Sequence, residues 1–226
     1  MEKLPKSEKR PNDVFLFGKN VSKSLSPVIH NTIYKKLGLD LKYSALNFGS
    51  IKELKSFIST HKFVAANITY PYKQYFKNSN LIVGDEYFNF DGQGAYAFLK
   101  REKALASKVV IFGTGVTAHE ISKFIPATLV GRKYKNPENL IADADLLIDA
   151  TPVNTALKYQ NCYNKKQIFM DLKYFDNYDY SDIFDCAYDG RGMLVSQAIL
   201  CIQQICKKRL DFDVLFDIAW RRINEI

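Results

Sequence analysis

The sequence predicts an α/β fold built from two strand–helix units. Three observations point there. Short β-branched and aromatic runs alternate with helix-patterned segments from residue 14 onward, the alternation restarts at Lys108, and the chain ends on two long amphipathic segments. With 226 residues and 47% hydrophobic side chains, the chain can build a proper core, which excludes a disordered tail or a disulfide-stapled miniprotein.

VFLFG at 14–18 reads as a buried strand ended by glycine. SPVIHNTIYKKLG follows as a helix, with Ser26 as N-cap, Pro27 at the first position and Gly38 as the stop. A strand over 42–48, a helix over 51–60 and a strand over 63–69 continue the alternation, so the first sheet is largely parallel. Two extended stretches then flank Gly84-Asp85 as a tight hairpin, and a helix runs from about Gly94 to Lys103. The second unit reads as strand 108–113, helix 116–125, strand 127–132, short helix 137–142 and strands 145–151 and 167–174. Apolar residues at helical spacing mark the last two helices, 193–210 and 212–226.

The net charge of +8 favours anionic partners such as phosphates, carboxylates or nucleic acid. Its carriers are scattered: Lys3/Lys6/Lys9/Arg10, Arg132/Lys133/Lys135 and Lys207/Lys208/Arg209 are each too short for a nucleic-acid arm, so no nucleic-acid partner is expected. The four cysteines form no CxxC pair and have no histidine at ligand spacing, so no metal is expected and reduced thiols follow. No stretch approaches a membrane span and the polar first residues lack a signal-peptide core, so the expectation is a cytoplasmic protein off the membrane with a flexible tail over 1–12.

GTGVTA at 113–118 follows a strand and opens a helix, the setting that a dinucleotide fingerprint requires. Gly113 permits the tight turn, Gly115 lets a pyrophosphate approach the backbone, and Ala118 lets helix and strand pack closely. At the end of the next strand, where an NAD site carries an acidic ribose ligand, stand Arg132 and Lys133. Two cations suit a ribose 2′-phosphate, so NADP(H) is the expected cofactor. In the first unit Ser24 and Ser26 offer two hydroxyls at a helix start to a bound carboxylate, and Thr69, Pro71 and Lys73 follow a strand, where a rigid turn can aim Lys73 into a cleft.

FGKNVSKSLSPVIHN, ANITYPYK, NFDGQG, IFGTGVTA, IDATPV, MDLKY and GRGMLVSQA occur in the order and approximate spacing of the shikimate dehydrogenase family, which the chain resembles from Val14 to about Cys206. The resemblance implies a two-domain α/β protein: a substrate-binding domain over 13–101 plus 192–226, an NADP-binding Rossmann-like domain over 102–191, and the substrate between them. It implies NADPH-dependent reduction of 3-dehydroshikimate to shikimate, in the pathway to chorismate and the aromatic amino acids. Residue by residue, Lys73 and Asp91 resemble the catalytic pair, and Ser24, Ser26 and Tyr174 the carboxylate-binding hydroxyls. Thr69, Asn80 and Gln197 resemble the groups that hold ring hydroxyls. Gly113, Gly115, Val116, Thr117, Ala118, Arg132, Lys133, Thr151, Gly190 and Met193 fall where the family binds its cofactor.

The chain departs from the family in several places. Asp91 follows Lys73 by only eighteen positions, so the helix that usually follows the family's catalytic lysine is missing, and Asn80 aligns only across that deletion. Phe90, Val116 and Gly131 replace Thr, Gly and Asn, while Asp149 and Asn154 replace the Asn and Gly of N-A-T-P-x-G, Asp149 adding negative charge near the dinucleotide. The short 74–79 connection is a candidate homodimer contact. The alternatives are a quinate/shikimate dehydrogenase, or a catalytically silent paralogue that binds a metabolite or nucleotide.

Overall fold

The structure, a computed structural model, describes residues 11–153, 155–174 and 179–226. Most of the expected tail, and Asn154, lie outside the described residues. The chain divides into two compact units, 1–88 and 89–226.

The first unit runs β1 (Asp13–Gly18), α1 (Ser26–Leu37), β2 (Lys42–Asn47), α2 (Ile51–Thr60), β3 (Ala65–Ile68), a 3₁₀ turn (Lys73–Tyr75), β4 (Leu81–Val83) and β5 (Glu86–Phe88). Its sheet has the order β2-β1-β3-β4-β5, parallel through the first three strands and antiparallel in the last two. The central strand β3 (AANI) is buried along its whole length, its apolar residues covered on both faces and its one polar side chain, Asn67, satisfied by hydrogen bonds. Under α2, Phe17, Leu54, Ile68, Tyr72, Phe76 and Ile82 form one core, edged by Phe15, Phe48, Phe57 and Phe63. The Phe15, Phe17, Phe48, Phe57 and Phe63 rings meet mostly edge to face at centroid distances of 5.4 to 6.0 Å.

Gly38 closes α1 at φ +64°, a left-handed conformation that glycine adopts without steric cost, and the Gly84-Asp85 hairpin forms with Gly84 at φ +57°. Ser26 is not the N-cap. Leu25 holds that position and Ser26 is the first helical residue, because the Ser24 hydroxyl already accepts from the Ser26 N–H at 3.2 Å.

The second unit runs α3 (Asp91–Arg101), β6 (Val109–Phe112), α4 (Val116–Ser122), β7 (Thr128–Val130), α5 (Glu138–Ala142), β8 (Leu146–Asp149), a 3₁₀ segment (Ala156–Cys162), β9 (Ile168–Asp171), β10 (Cys186–Tyr188), α6 (Arg191–Cys206) and α7 (Phe212–Asn224). All five strands are parallel in the order β10-β9-β8-β6-β7. Phe112, Val130, Leu147, Phe169, Tyr180 and Phe184 are among its core side chains. The 3₁₀ segment and β10 escape the sequence pattern, and α4 ends three residues before the expected 125.

α3 begins at Asp91, three residues before the expected Gly94, despite two glycines in its first turn that cost helix propensity. Packing explains the glycines: a side chain on Gly92 would start 2.1 Å from the Glu120 carbonyl oxygen, and one on Gly94 would start 3.0 Å from Cβ of Gln197 on α6. The other end of α3 is fastened to α7, where Arg101 pairs with Asp213 at 2.5 Å and Asp217 at 2.6 Å and lies over the Phe216 ring. α3, α6 and α7 therefore share a unit with the second sheet. The division read from the sequence also kept these three helices together, beside the first sheet.

Candidate active site

In the first unit the candidate groups cluster at the C-terminal ends of β1 and β3. Gly18 ends β1 so tightly that an added side chain would begin 2.4 Å from Val21 and 2.7 Å from the Thr69 methyl. The loop that follows is held by Asn47 at the end of β2, whose side-chain oxygen accepts from the Val21 N–H at 2.7 Å. This anchoring delivers Ser24 and Ser26 with their hydroxyl oxygens 3.2 Å apart, close enough for one carboxylate to bridge both. Thr69 starts the turn after β3. Its N–H donates to the Phe17 carbonyl and its carbonyl accepts from Tyr72 N–H at 2.9 Å, while the Tyr72 hydroxyl ties that turn to the Phe48 carbonyl at 2.6 Å. Lys73 opens the 3₁₀ turn on this base, half-buried.

Beneath these groups lies a buried polar chain that sequence reading did not anticipate. The Asn67 amide donates to the Asn80 carbonyl at 2.8 Å and accepts from the Tyr43 hydroxyl at 2.9 Å. The His30 ring stacks on Tyr43 at 4.0 Å and bonds to the Tyr34 hydroxyl at 3.2 Å. Burial lowers the His30 pKa to about 3, so the imidazole is neutral at physiological pH. Asn31 fills the open edge of β2, accepting from and donating to the Tyr43 backbone at 2.9 Å each. Asn80 is buried, and its backbone joins the sheet, accepting from Ile68 and donating to Phe88.

In the second unit a cleft of about 860 Å³ opens above the C-terminal ends of β6, β7 and β8. This is where an open parallel sheet binds ligands. Gly113 sits at φ +110°, with the Thr151 methyl 3.3 Å from where a side chain would begin, while Gly115 faces open space. Val116 opens α4 and Ala118 is buried under it. Arg132 and Lys133 line the cleft from a turn closed by the Tyr134 N–H and the Gly131 carbonyl. Arg132 is thus in the turn rather than at the strand terminus the sequence suggested, because β7 already ends at Val130. The departure at Gly131 has a steric cause: any side chain there would start 2.8 Å from the Thr114 methyl. Lys158, from the unanticipated 3₁₀ segment, adds a third cation to the lining.

Asp91 lies in the first turn of α3, 2% exposed, with its N–H donating to the Asn89 side chain at 2.9 Å. The Thr117 hydroxyl, assigned to the cofactor from sequence, donates to the Asp91 carboxylate at 3.2 Å and so links the phosphate loop to the candidate catalytic acid. Gln197 stands on α6 opposite Gly94, Met193 is buried one turn earlier, and Gly190 packs against the Leu172 carbonyl so closely that no side chain fits. Tyr174, half-buried, follows β9 and lines a second, smaller depression with Asp171 and Tyr188. Asp149 is fully buried and hydrogen-bonded to Thr151, so its charge is turned into the protein and not toward the cleft. Among the described residues no group of three or more His, Cys, Asp or Glu side chains could hold a metal, and no helix is long and apolar enough to cross a membrane.

Residues 16–78 match the family described as the shikimate dehydrogenase substrate binding domain. The chain is 28% identical over 202 residues to the shikimate dehydrogenase (NADP(+)) of Pyrococcus abyssi, covering 70% of this chain and 76% of that protein. It is 40% identical over 63 residues to the pentafunctional AROM polypeptide of Schizosaccharomyces pombe, a match that covers 28% of this chain and only 4% of that polypeptide. Among solved structures, the shikimate 5-dehydrogenase of Thermus thermophilus in complex with shikimate superposes with a TM-score of 0.80 at 19% identity, covering 94% of this chain and 99% of that one. The matched segment and the relatives agree with the seven ordered motifs, and the solved structure shares the fold: the chain is similar to shikimate dehydrogenases, most directly over residues 16–78.

Proposed function

We propose that the protein is an NADP(H)-dependent dehydrogenase that interconverts 3-dehydroshikimate and shikimate. The observation that carries this reading is the paired hydroxyls of Ser24 and Ser26, 3.2 Å apart within the segment that matches the substrate-binding family. In this reading residues 13–101 and 192–226 bind the ring acid and 102–191 bind the dinucleotide. The protein is cytoplasmic and acts on a small molecule, without nucleic acid. Tyr70 and Tyr75, both exposed beside the short 74–79 connection, supply a candidate homodimer contact.

The cleft residues fit a dinucleotide with a 2′-phosphate. Gly115 leaves the phosphate loop open to close approach, and Arg132 and Lys133 supply cations at the rim. When bound, the nucleotide supplies or accepts the hydride. Ser24, Ser26 and Tyr174 bind the ring carboxylate; Thr69, Asn80 and Gln197 hold ring hydroxyls. Lys73 places its ammonium on the substrate oxygen, stabilises the negative charge that grows there as the ketone is reduced, and gives up or recovers the proton. Asp91, with its second oxygen already committed to Thr117, accepts a bond from the hydroxyl adjacent to the reacting carbon. Gly190 and Met193 shape the cofactor side at the start of α6.

Initial rates with shikimate and quinate against NADP⁺ and NAD⁺ test the assignment. The reading expects the highest kcat/KM for shikimate with NADP⁺. Preference for quinate or NAD⁺ would transfer the protein to that sister activity, and no turnover with any pair in folded protein would favour the silent paralogue.

A further inference from the structure

At the C-terminal ends of β8 and β9, Asp149 and Asp171 are register partners, both buried, with Lys173 closing over them. The Lys173 ammonium lies 2.7 Å from the Asp171 carboxylate and 3.8 Å from that of Asp149, and reaches the Val153 carbonyl at 3.5 Å. The other Asp171 oxygen accepts from the Tyr180 hydroxyl at 2.7 Å. Asp149 in turn accepts from the Thr151 N–H at 2.9 Å and the Thr151 hydroxyl at 2.6 Å. That hydroxyl also contacts Thr155 at 2.8 Å. Thr151, Val153 and Thr155 are one wall of the nucleotide cleft. Burial of a second carboxylate beside Asp171 requires a cation within reach, since an unpaired buried charge is strongly unfavourable. Asp149 stands where the family pattern has Asn, and the Lys173 side chain, from a position that D-x-x-Y leaves open, reaches it in space.

We propose that Lys173 is a positioning residue for the cofactor: with Asp149 it forms a coupled pair that fixes the Thr151, Val153 and Thr155 wall of the cleft. The inference rests on the dinucleotide reading of that cleft. Lys173 neutralises the carboxylate that holds Thr151 and tethers Val153 directly, and loss of the cation releases both.

Calorimetric titration of NADP⁺ into wild type and variants, with thermal unfolding run in parallel, tests the pair. Lys173→Met is expected to weaken NADP⁺ binding by about tenfold or more, because the two buried carboxylates, Asp149 on the cleft wall and Asp171 beside it, lose the lysine between them. Asp149→Asn/Lys173→Met, which removes the Asp149 charge with the lysine and leaves Asp171 held by the Tyr180 hydroxyl and the residue-173 N–H, is expected to return within about threefold of wild type, a non-additive pair. Lys173→Arg, which keeps the cation, is expected to bind within about threefold as well. Folded Lys173→Met that binds like wild type would overturn the proposal, as would a double variant that binds no better than the single one. If Lys173→Met does not fold, the double variant and Lys173→Arg decide, and folded double variant bound about tenfold more weakly than wild type overturns it. Failure of wild type itself to bind NADP⁺ would overturn the dinucleotide reading and this inference with it. Binding by wild type with unaffected variants overturns the inference alone.

Discussion

His30 ties the stability of the first unit to pH. Its imidazole is sealed between Tyr43, stacked at 4.0 Å, and the Tyr34 hydroxyl, and burial lowers its pKa from 6.5 to about 3. In the unfolded chain the same ring takes up a proton as pH falls through 6.5, while the folded chain refuses it until about 3. The unfolded state therefore binds more protons across that window, so stability rises with pH between them and is lost on acidification. At pH 5 the unfolded imidazole is nearly all protonated, and the linkage costs about 2 kcal/mol relative to pH 7. Urea unfolding of wild type and His30→Gln at both pH values isolates this contribution, because carboxylates shared by both proteins cancel in the comparison. Wild type is expected to lose about 2 kcal/mol more than the variant between pH 7 and 5. Equal losses would show that His30 is not a buried neutral ring, and the account of the polar chain beneath Ser24 and Thr69 would fail with it.

Three further predictions concern the second unit. Arg132→Ala is expected to weaken NADP⁺ relative to NAD⁺ by about 10- to 100-fold, the scale of a lost charge-assisted hydrogen bond, as read from the ratio of their dissociation constants. Gly92→Ala forces a methyl to within 2.1 Å of the Glu120 carbonyl and is expected to cost about 1–3 kcal/mol or more in thermal unfolding; an unchanged melting temperature would contradict the α3–α4 packing. Phe169→Ala, in the middle of the second core, is expected to cost about 3–5 kcal/mol in denaturant unfolding.

Most of the strands and long helices were legible because burial on both faces leaves an unbroken apolar run, as in VVIF, and one-sided burial leaves helical spacing, as in α1. The Gly38 stop and the Gly84-Asp85 hairpin were equally readable, since left-handed backbone selects glycine. What escaped depends on tertiary partners. Asp91 and Gly92 precede the helix start expected at Gly94, yet α3 begins at Asp91, with Glu120 and Gln197 packed against Gly92 and Gly94. β10 is three residues long and is defined by its pairing with β9. Within the candidate site, Ser24 and Arg132 could be found from motif spacing. Lys158 could not, because it comes to the cleft on an irregular 3₁₀ segment, and Lys173 could not, because only folding brings it over Asp149. Asp149 read alone is a negative charge near the dinucleotide; only folding shows the cation, Lys173, that it shares with Asp171.

The central claim is that this chain oxidises shikimate with NADP⁺ through Lys73. The most direct test is absorbance at 340 nm with shikimate and NADP⁺, run on wild type and on Lys73→Ala shown to be folded by its melting curve. The account predicts shikimate-dependent NADPH formation by wild type and a rate about 10²- to 10⁴-fold lower in the variant, the usual contribution of a positioned acid–base group. Wild type that forms no NADPH, or a variant that turns over at the wild-type rate, would contradict it.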